Sequence, residues 1–155
     1  MGFLDKVMGL GGSKSDSKKQ EIREIFNTNV QDGDSYTVLA GMNMVTEKKL
    51  FKEIRTFYNY IIGYKDGDDP EIVVIPTDSE LSVVEEPAYC KKSECMEAKY
   101  LMQTSMFTIT HPDLGNKPID FGVIASTAWG EYVISVSYVD EFTPFTEFFQ
   151  KRFAK

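Results

Sequence analysis

The sequence predicts an α+β fold: an antiparallel sheet of about seven strands, preceded by one helix and closed by a C-terminal amphipathic helix. Three observations predict it. Ile22, Ile25, Phe26 and Val30 recur at helical spacing in "SKKQEIREIFNTNV", which makes one apolar stripe. From Tyr36 onward the chain reads as short β-rich runs separated by turn signals. Near the end, "FTPFTEFFQKRF" brings Phe145, Phe148, Phe149 and Phe153 together at i, i+3, i+4 and i+8. At 155 residues, with 42% hydrophobic and 26% charged side chains, the chain fits one domain with its own core. The expected division is a flexible segment and linker over residues 1–16 and a single domain over 17–155.

The linker expectation rests on "GLGGSKSDSKK", which has little to bury. Ahead of it, Phe3, Leu4, Val7 and Met8 share one face of a short helix, which could dock on the body, touch a membrane surface or fray. Ser17 and Gln20 fit a capping box for the first helix, and "QDGD" stops it. "SYTVLAGMNMV" then reads as a strand. "TEKKLFKEIR" over residues 46–55 is ambiguous between a short helix and a charged strand. In "FYNYIIGY" the two-residue period puts Tyr58, Tyr60, Ile62 and Tyr64 on one face. "KDGDDP" is a hairpin loop with Asp66 followed by Gly67 as its turn signal. "EIVVIP" is a continuous apolar run, as expected of a strand covered on both sides. "ELSVVEEP" offers a further strand, "AYCKKSECMEAKYLMQ" has no clear period, and "SMFTITHP" is a strand closed by His111 and Pro112.

Two later segments alternate cleanly. "IDFGVIAS" puts Ile119, Phe121, Val123 and Ala125 on one face; "EYVISVSYV" does the same for Tyr132, Ile134, Val136 and Tyr138. With only "STAWG" between them, they are expected to pair as a hairpin. For the terminal stretch, Thr143 is the expected N-cap and Pro144 the first helical residue. Burying each phenylalanine contributes roughly 1.5–3 kcal/mol, and a soluble monomer rarely leaves so large an apolar patch in water. The polar face offers Lys151, Arg152 and Lys155 against Glu147, a modest cationic face for a membrane helix. The stripe is therefore expected to face the core.

The formal charge is −7; the first nineteen residues carry a net +2, which leaves −9 for the rest. Such a body repels phosphate backbones, so nucleic acid is not an expected partner. Cys90 and Cys95, five residues apart, point to opposite faces of a strand or about 140° apart around a helix. They read as free thiols of a reducing compartment, and with one histidine they make no zinc site. No apolar run approaches the roughly 20 residues of a membrane span, and Asp5 interrupts any signal-peptide core. A cytoplasmic location is the expectation.

Motifs of catalysis are missing. The sequence contains no GxGxxG, no GxxxxGK[ST] and no HExxH. His111, the only histidine, precedes a proline in an expected solvated turn, without a nucleophile motif beside it. The acidic pairs Asp68 and Asp69, Glu85 and Glu86, and Asp140 and Glu141 flank turns or strand ends, where solvated charge belongs; "DGDDPE" lacks the ligand pattern of an EF-hand. No catalytic residue, metal or cofactor is expected.

Two features suggest binding. Lys48, Lys49, Lys52 and Arg55 gather in "KKLFKEIR" on an otherwise acidic body, a candidate site for an anion or phospholipid headgroup, against which Glu47 and Glu53 make an ordinary solvated face the competing reading. Trp129, in the expected hairpin, is a candidate partner-binding residue, since tryptophan is enriched at binding hot spots; the competing reading, and the more usual role of such a residue, is to cap the open end of its own sheet.

The strand run with "IDFGVIAS", "EYVISVSYV" and "FTPFTEFFQKRF" resembles the bacterial pleckstrin-homology-like (PH-like) pattern. That resemblance implies a curved antiparallel sheet or partly open barrel whose last helix plugs one end. It covers much of residues 34–155 and rests on no specific motif: a "TNKR"-type segment is missing, "KKLFKEIR" only approximates a basic strand ending Arg-x-Arg, and the opening helix is an addition. It implies a scaffold for ligand or partner binding and no reaction. The expected function is a non-catalytic binding or protein-interaction module, with a protein partner or self-association, no nucleic acid, and peripheral membrane contact as a lesser role. One alternative is an acidic secretion-chaperone-like protein holding a partner chain on an exposed Tyr58/Tyr60/Tyr64 stripe. The other is a carboxylate-based enzyme, which needs acids converging in a cleft.

Overall fold

The computed structural model describes residues 10–155, with side chains from residue 14. The expected apolar segment at residues 3–8 lies outside them. Helix α1 (Leu10–Asn29) leads into a sheet of seven strands: β1 (Thr37–Lys49), β2 (Lys52–Lys65), β3 (Glu71–Thr77), β4 (Ala88–Lys91), β5 (Glu97–Leu101), β6 (Met106–Thr110) and β7 (Ile119–Val123). Helix α2 (Phe142–Phe148) and a π-helical turn (Phe149–Phe153) end the chain. The order across the sheet is β4-β3-β2-β1-β7-β6-β5, every pair is antiparallel, and the sheet curls into a half-barrel.

Both faces of the central strands are covered, which is why β3 is apolar without alternation: Ile72, Val73, Val74 and Ile75 are all fully buried. On the outer face, α1 lays Ile22, Phe26 and Val30 against the sheet as the stripe predicts. Gly63 makes this possible, because a Cβ there would stand 2.1 Å from Cζ of Phe26. On the inner face, α2 and its π turn bury Phe145, Phe148, Phe149 and Phe153. Phe145 meets Tyr64 at 5.0 Å between ring centroids and Phe107 at 4.8 Å; Phe107 also meets Phe149 at 4.9 Å and Phe121 at 5.5 Å. The terminal aromatic stretch is core.

Four local expectations are corrected. Residues 10–16 are helical, so the chain has no linker there and Ser17 lies inside α1 rather than capping it. Glycine and serine are poor helix formers, but this end of α1 has tertiary partners. The Ser137 amide donates to Ser15 Oγ at 3.0 Å, and Lys19 donates to the Glu141 carboxylate at 2.8 Å. Helix α2 begins at Phe142, with Thr143 and Pro144 already within its first turn.

The third correction concerns "EYVISVSYV", which forms no strand. Both edges of β7 are occupied, by β6 and β1, so no edge is left for a hairpin partner. The segment instead crosses the outer face beside α1 as a strap. It buries Val133, Ile134, Val136 and Tyr138 but exposes Tyr132. Buried Asn59 on β2 ties it down: its Oδ1 accepts from the Ile134 amide at 2.9 Å and its Nδ2 donates to the Tyr132 carbonyl at 3.1 Å. "ELSVVEEP" contributes a single bridge, Thr77 with Val84, rather than a strand.

The fourth is His111, which is buried rather than solvated. Its Nδ1 accepts from the Asp113 amide at 2.9 Å, so the proton sits on Nε2. That atom forms no hydrogen bond, although a Glu94 carboxylate oxygen lies 3.5 Å away.

Candidate functional site

Residues 46–55 are strand and turn. Strands β1 and β2 pair from Thr37 with Tyr64 to Lys49 with Lys52, joined by a two-residue loop of Leu50 and Phe51. Beyond Met42, β1 pairs with no other strand, and β2 pairs with β3 only from Asn59 onward. Seven residues on each side therefore leave the sheet as a two-stranded arm, about 23 Å long at roughly 3.3 Å per residue. Its base is braced where Phe57 stacks on Tyr132 at 5.0 Å and meets Trp129 edge-on at 6.0 Å.

The arm divides the basic cluster. Side chains alternate along a strand, so Lys49 and Lys52, directly opposite each other, share one face, while Lys48 and Arg55 lie on the other. Arg55 pairs with Glu53 at 2.9 Å and Lys49 with Glu47 at 3.7 Å. The four cations are near one another, but they do not converge on one anion pocket. Trp129 sits in the turn before Gly130–Tyr132, outside any hairpin, 44% exposed and packed on the arm's base. What the sequence reading missed is the tip: Leu50 is 88% exposed and Phe51 94%. Val45, Ile54 and Tyr58, all partly exposed, continue an apolar row along one face of the arm.

A second feature is the open end of the half-barrel. The inward-facing side chains of β2 run Tyr64, Ile62, Tyr60, Tyr58. Helix α2 covers the Tyr64 end, and at the other end a cavity of about 490 Å³ opens beside Tyr58 and Tyr60. Glu85, Glu86 and Asp113 stand at this mouth. The residues were visible in the sequence, but nothing in it joined three separate segments. Two other hollows lie on the surface. One, of about 740 Å³, is at the end of α1 near Asp32 and Lys65; the other, of about 370 Å³, lies between Met106 and Val139.

The two thiols are enclosed. Cys90 and Cys95 are free and buried, and burial pushes the Cys95 thiol up to about 11 and that of Cys90 higher still. Two carboxylates of "DGDDPE" turn to protein partners: Asp66 to Arg152 at 2.8 Å, and Asp69 to the Ser93 amide at 3.0 Å. Among the described residues no group of three or more His, Cys, Asp or Glu side chains is placed to hold a metal ion. No described helix is long and apolar enough to cross a membrane. No protein-family model, no curated protein and no solved structure matches the chain.

Proposed function

We propose that the chain is a non-catalytic binding module of PH-like build that engages a partner protein through the β1–β2 arm. The observation that carries this reading is the bare tip, Leu50 and Phe51. Neither residue serves the turn. Favoured two-residue hairpin loops need positive φ and recruit Asn or Gly, whereas these two residues have negative φ. Neither residue serves the core. Burying a phenylalanine against a partner contributes roughly 1.5–3 kcal/mol, and the unpaired edges of the arm offer backbone donors and acceptors for strand addition. The seven-strand half-barrel plugged by α2 agrees with the PH-like resemblance.

A protein partner is favoured over an anionic membrane because the cations are split between two faces, two of them are paired, and the whole chain carries −7. The chaperone-like alternative loses its motivation, since Tyr60 is buried and Tyr64 lies under α2, leaving no open tyrosine stripe. The carboxylate-enzyme alternative asks for acids converging in a cleft, and Glu85, Glu86 and Asp113 do stand at one mouth; the arm is preferred because its bare tip has no other use in the fold. The test is a photo-crosslinking residue placed at position 51 in the cell, with position 131 as control. A discrete protein adduct, a second copy included, from position 51 alone supports the reading. Crosslinking only to lipid, or adducts equal at both positions, overturns it.

A further inference from the structure

We propose that the mouth of the half-barrel binds an aliphatic cation, an ammonium or guanidinium carried on a hydrocarbon chain, seated against Tyr58 and Tyr60. This goes beyond the arm's bare tip, Leu50 and Phe51, and of the arm's residues only Tyr58 also lines the cavity. The cavity of about 490 Å³ falls within the roughly 300–1,000 Å³ typical of small-ligand sites. Its floor is apolar and aromatic: Tyr58, Tyr60, Pro76 and Ile119 face it from three strands. Its rim is acidic, and no lysine or arginine lines it. Among the described residues Glu85, Glu86 and Asp113 take part in no ion pair; Asp113 accepts only weakly from the Tyr89 amide, at 3.4 Å.

An acidic rim alone would describe ordinary solvated charge. Tyr60 supplies the independent observation. It is 8% exposed and its ring is held against Phe121 at 6.3 Å; its hydroxyl makes no hydrogen bond to another described residue and, unlike His111 Nε2, is not an enclosed atom, so it opens on the cavity. With no protein partner, that hydroxyl is left to water or to a ligand entering the cavity. Here the side chain lines the cavity, where a ligand donor could reach it. Burial, with Tyr58, Asp120 and Glu85 nearby, pushes the phenol up to about 12, so it stays neutral at physiological pH and accepts from a cation.

A neutral apolar ligand would leave three carboxylates and this hydroxyl unserved, and an anion would be repelled. A cation with a methylene chain satisfies every wall. Its head meets the carboxylates and the two ring faces, an attraction of roughly 0.5–2 kcal/mol per ring as water is excluded. Its chain lies on Pro76 and Ile119. Two sources carry this chemistry: a free polyamine, or a lysine or arginine side chain of another protein.

The test is isothermal titration of the full chain with spermidine and, separately, with a short capped trilysine peptide, in low salt. Saturable 1:1 binding of either supports the site. Tighter spermidine marks a free polyamine, and tighter peptide marks a protein side chain. Glu85→Gln with Glu86→Gln should weaken binding at least tenfold, and Tyr60→Phe should weaken it severalfold while the melting temperature holds. The same charge removed elsewhere, by Asp68→Asn with Glu131→Gln, should change it less than twofold. Leu50→Ser with Phe51→Ser should leave it unchanged, which separates this site from the arm. Absence of saturable binding overturns the proposal, and so does a loss as large in the remote charge variant as in the mouth variant.

Discussion

Phenylalanine to alanine at two positions should give opposite results. Phe145 is fully buried, with Tyr64, Phe107, Phe121, Phe148 and Phe149 between 4.8 and 6.5 Å of its ring centre. Truncating a buried phenylalanine costs about 3–5 kcal/mol, the transfer term plus the cavity left behind. Five ring neighbours held by strands and helix leave little freedom to collapse, so about 4 kcal/mol is expected for Phe145→Ala. At roughly 2–4 °C per kcal/mol for a chain of this size, melting should fall by about 8–16 °C. Phe51 is 94% exposed, and Phe51→Ala should stay within about 0.5 kcal/mol. Urea denaturation followed by far-ultraviolet circular dichroism measures both, with an unchanged m-value as the check on two-state behaviour. A loss below about 1 kcal/mol at Phe145, or equal losses at the two sites, would refute the inward placement of α2. So would cooperative melting at nearly the full-length temperature by a fragment ending at Asp140.

Gly63→Ala should destabilise by about 1–3 kcal/mol through overpacking against Phe26, and Phe26→Leu in the same chain should recover part of that loss. Asn59→Ala leaves the Ile134 amide and Tyr132 carbonyl without partners, at about 1–3 kcal/mol, and hydrogen exchange at Ile134 should accelerate. The hydroxyl and amide of Ser93 hold the Asp69 carboxyl below its usual range. Its contribution is therefore present above the ordinary carboxylate value and is lost as pH falls through the lower folded one, so Asp69→Asn should flatten the acid limb of the stability curve. The raised thiols act in the other direction. Unfolded thiols ionise from about pH 8.5 while Cys95 holds its proton to about 11, so stability should decline over that interval. Ellman's reagent should find neither thiol at pH 8 until denaturant is added.

The periodic elements were legible because they are local. A stripe such as Ile22, Phe26 and Val30 declares which side of a helix is buried whatever lies opposite, and the run at residues 72–75 declares a strand covered twice. Alternation says which side chains are buried but not what the backbone pairs with. Ile134, Val136 and Tyr138 were rightly assigned to the core, yet their backbone belongs to a strap, because β1 had already taken the free edge of β7. The start of α1 was hidden for a similar reason: Ser15 and Lys19 are held by Ser137 and Glu141, 122 residues away. The arm was ambiguous because its charges suit either an exposed helix or an exposed strand, and only pairing decides. His111 was misjudged because a turn can fold a ring inward once Nδ1 has the Asp113 amide to accept from.

The mouth follows from the lengths of two elements. Tyr58 and Tyr64 are six residues apart on β2, about 20 Å at roughly 3.3 Å per residue. Helix α2 with its π turn runs from Phe142 to Phe153, roughly 18 Å at 1.5 Å per residue. Even laid along β2 it could not reach from the Tyr64 end to Tyr58, and its last residue is tied elsewhere. The Lys155 amide donates to the Ala98 carbonyl and Lys155 Nζ to that of Cys95, both at 2.7 Å, which holds the terminus against β5. Among the described residues no second apolar segment covers that end; Glu85, Glu86 and Asp113 stand there instead. A closed barrel would have required an apolar residue at one of those positions and a partner for the Tyr60 hydroxyl. The same shortness that lets α2 seal one end thus leaves the other as an acidic, aromatic opening, while Tyr58 stands both at its wall and at the root of the arm.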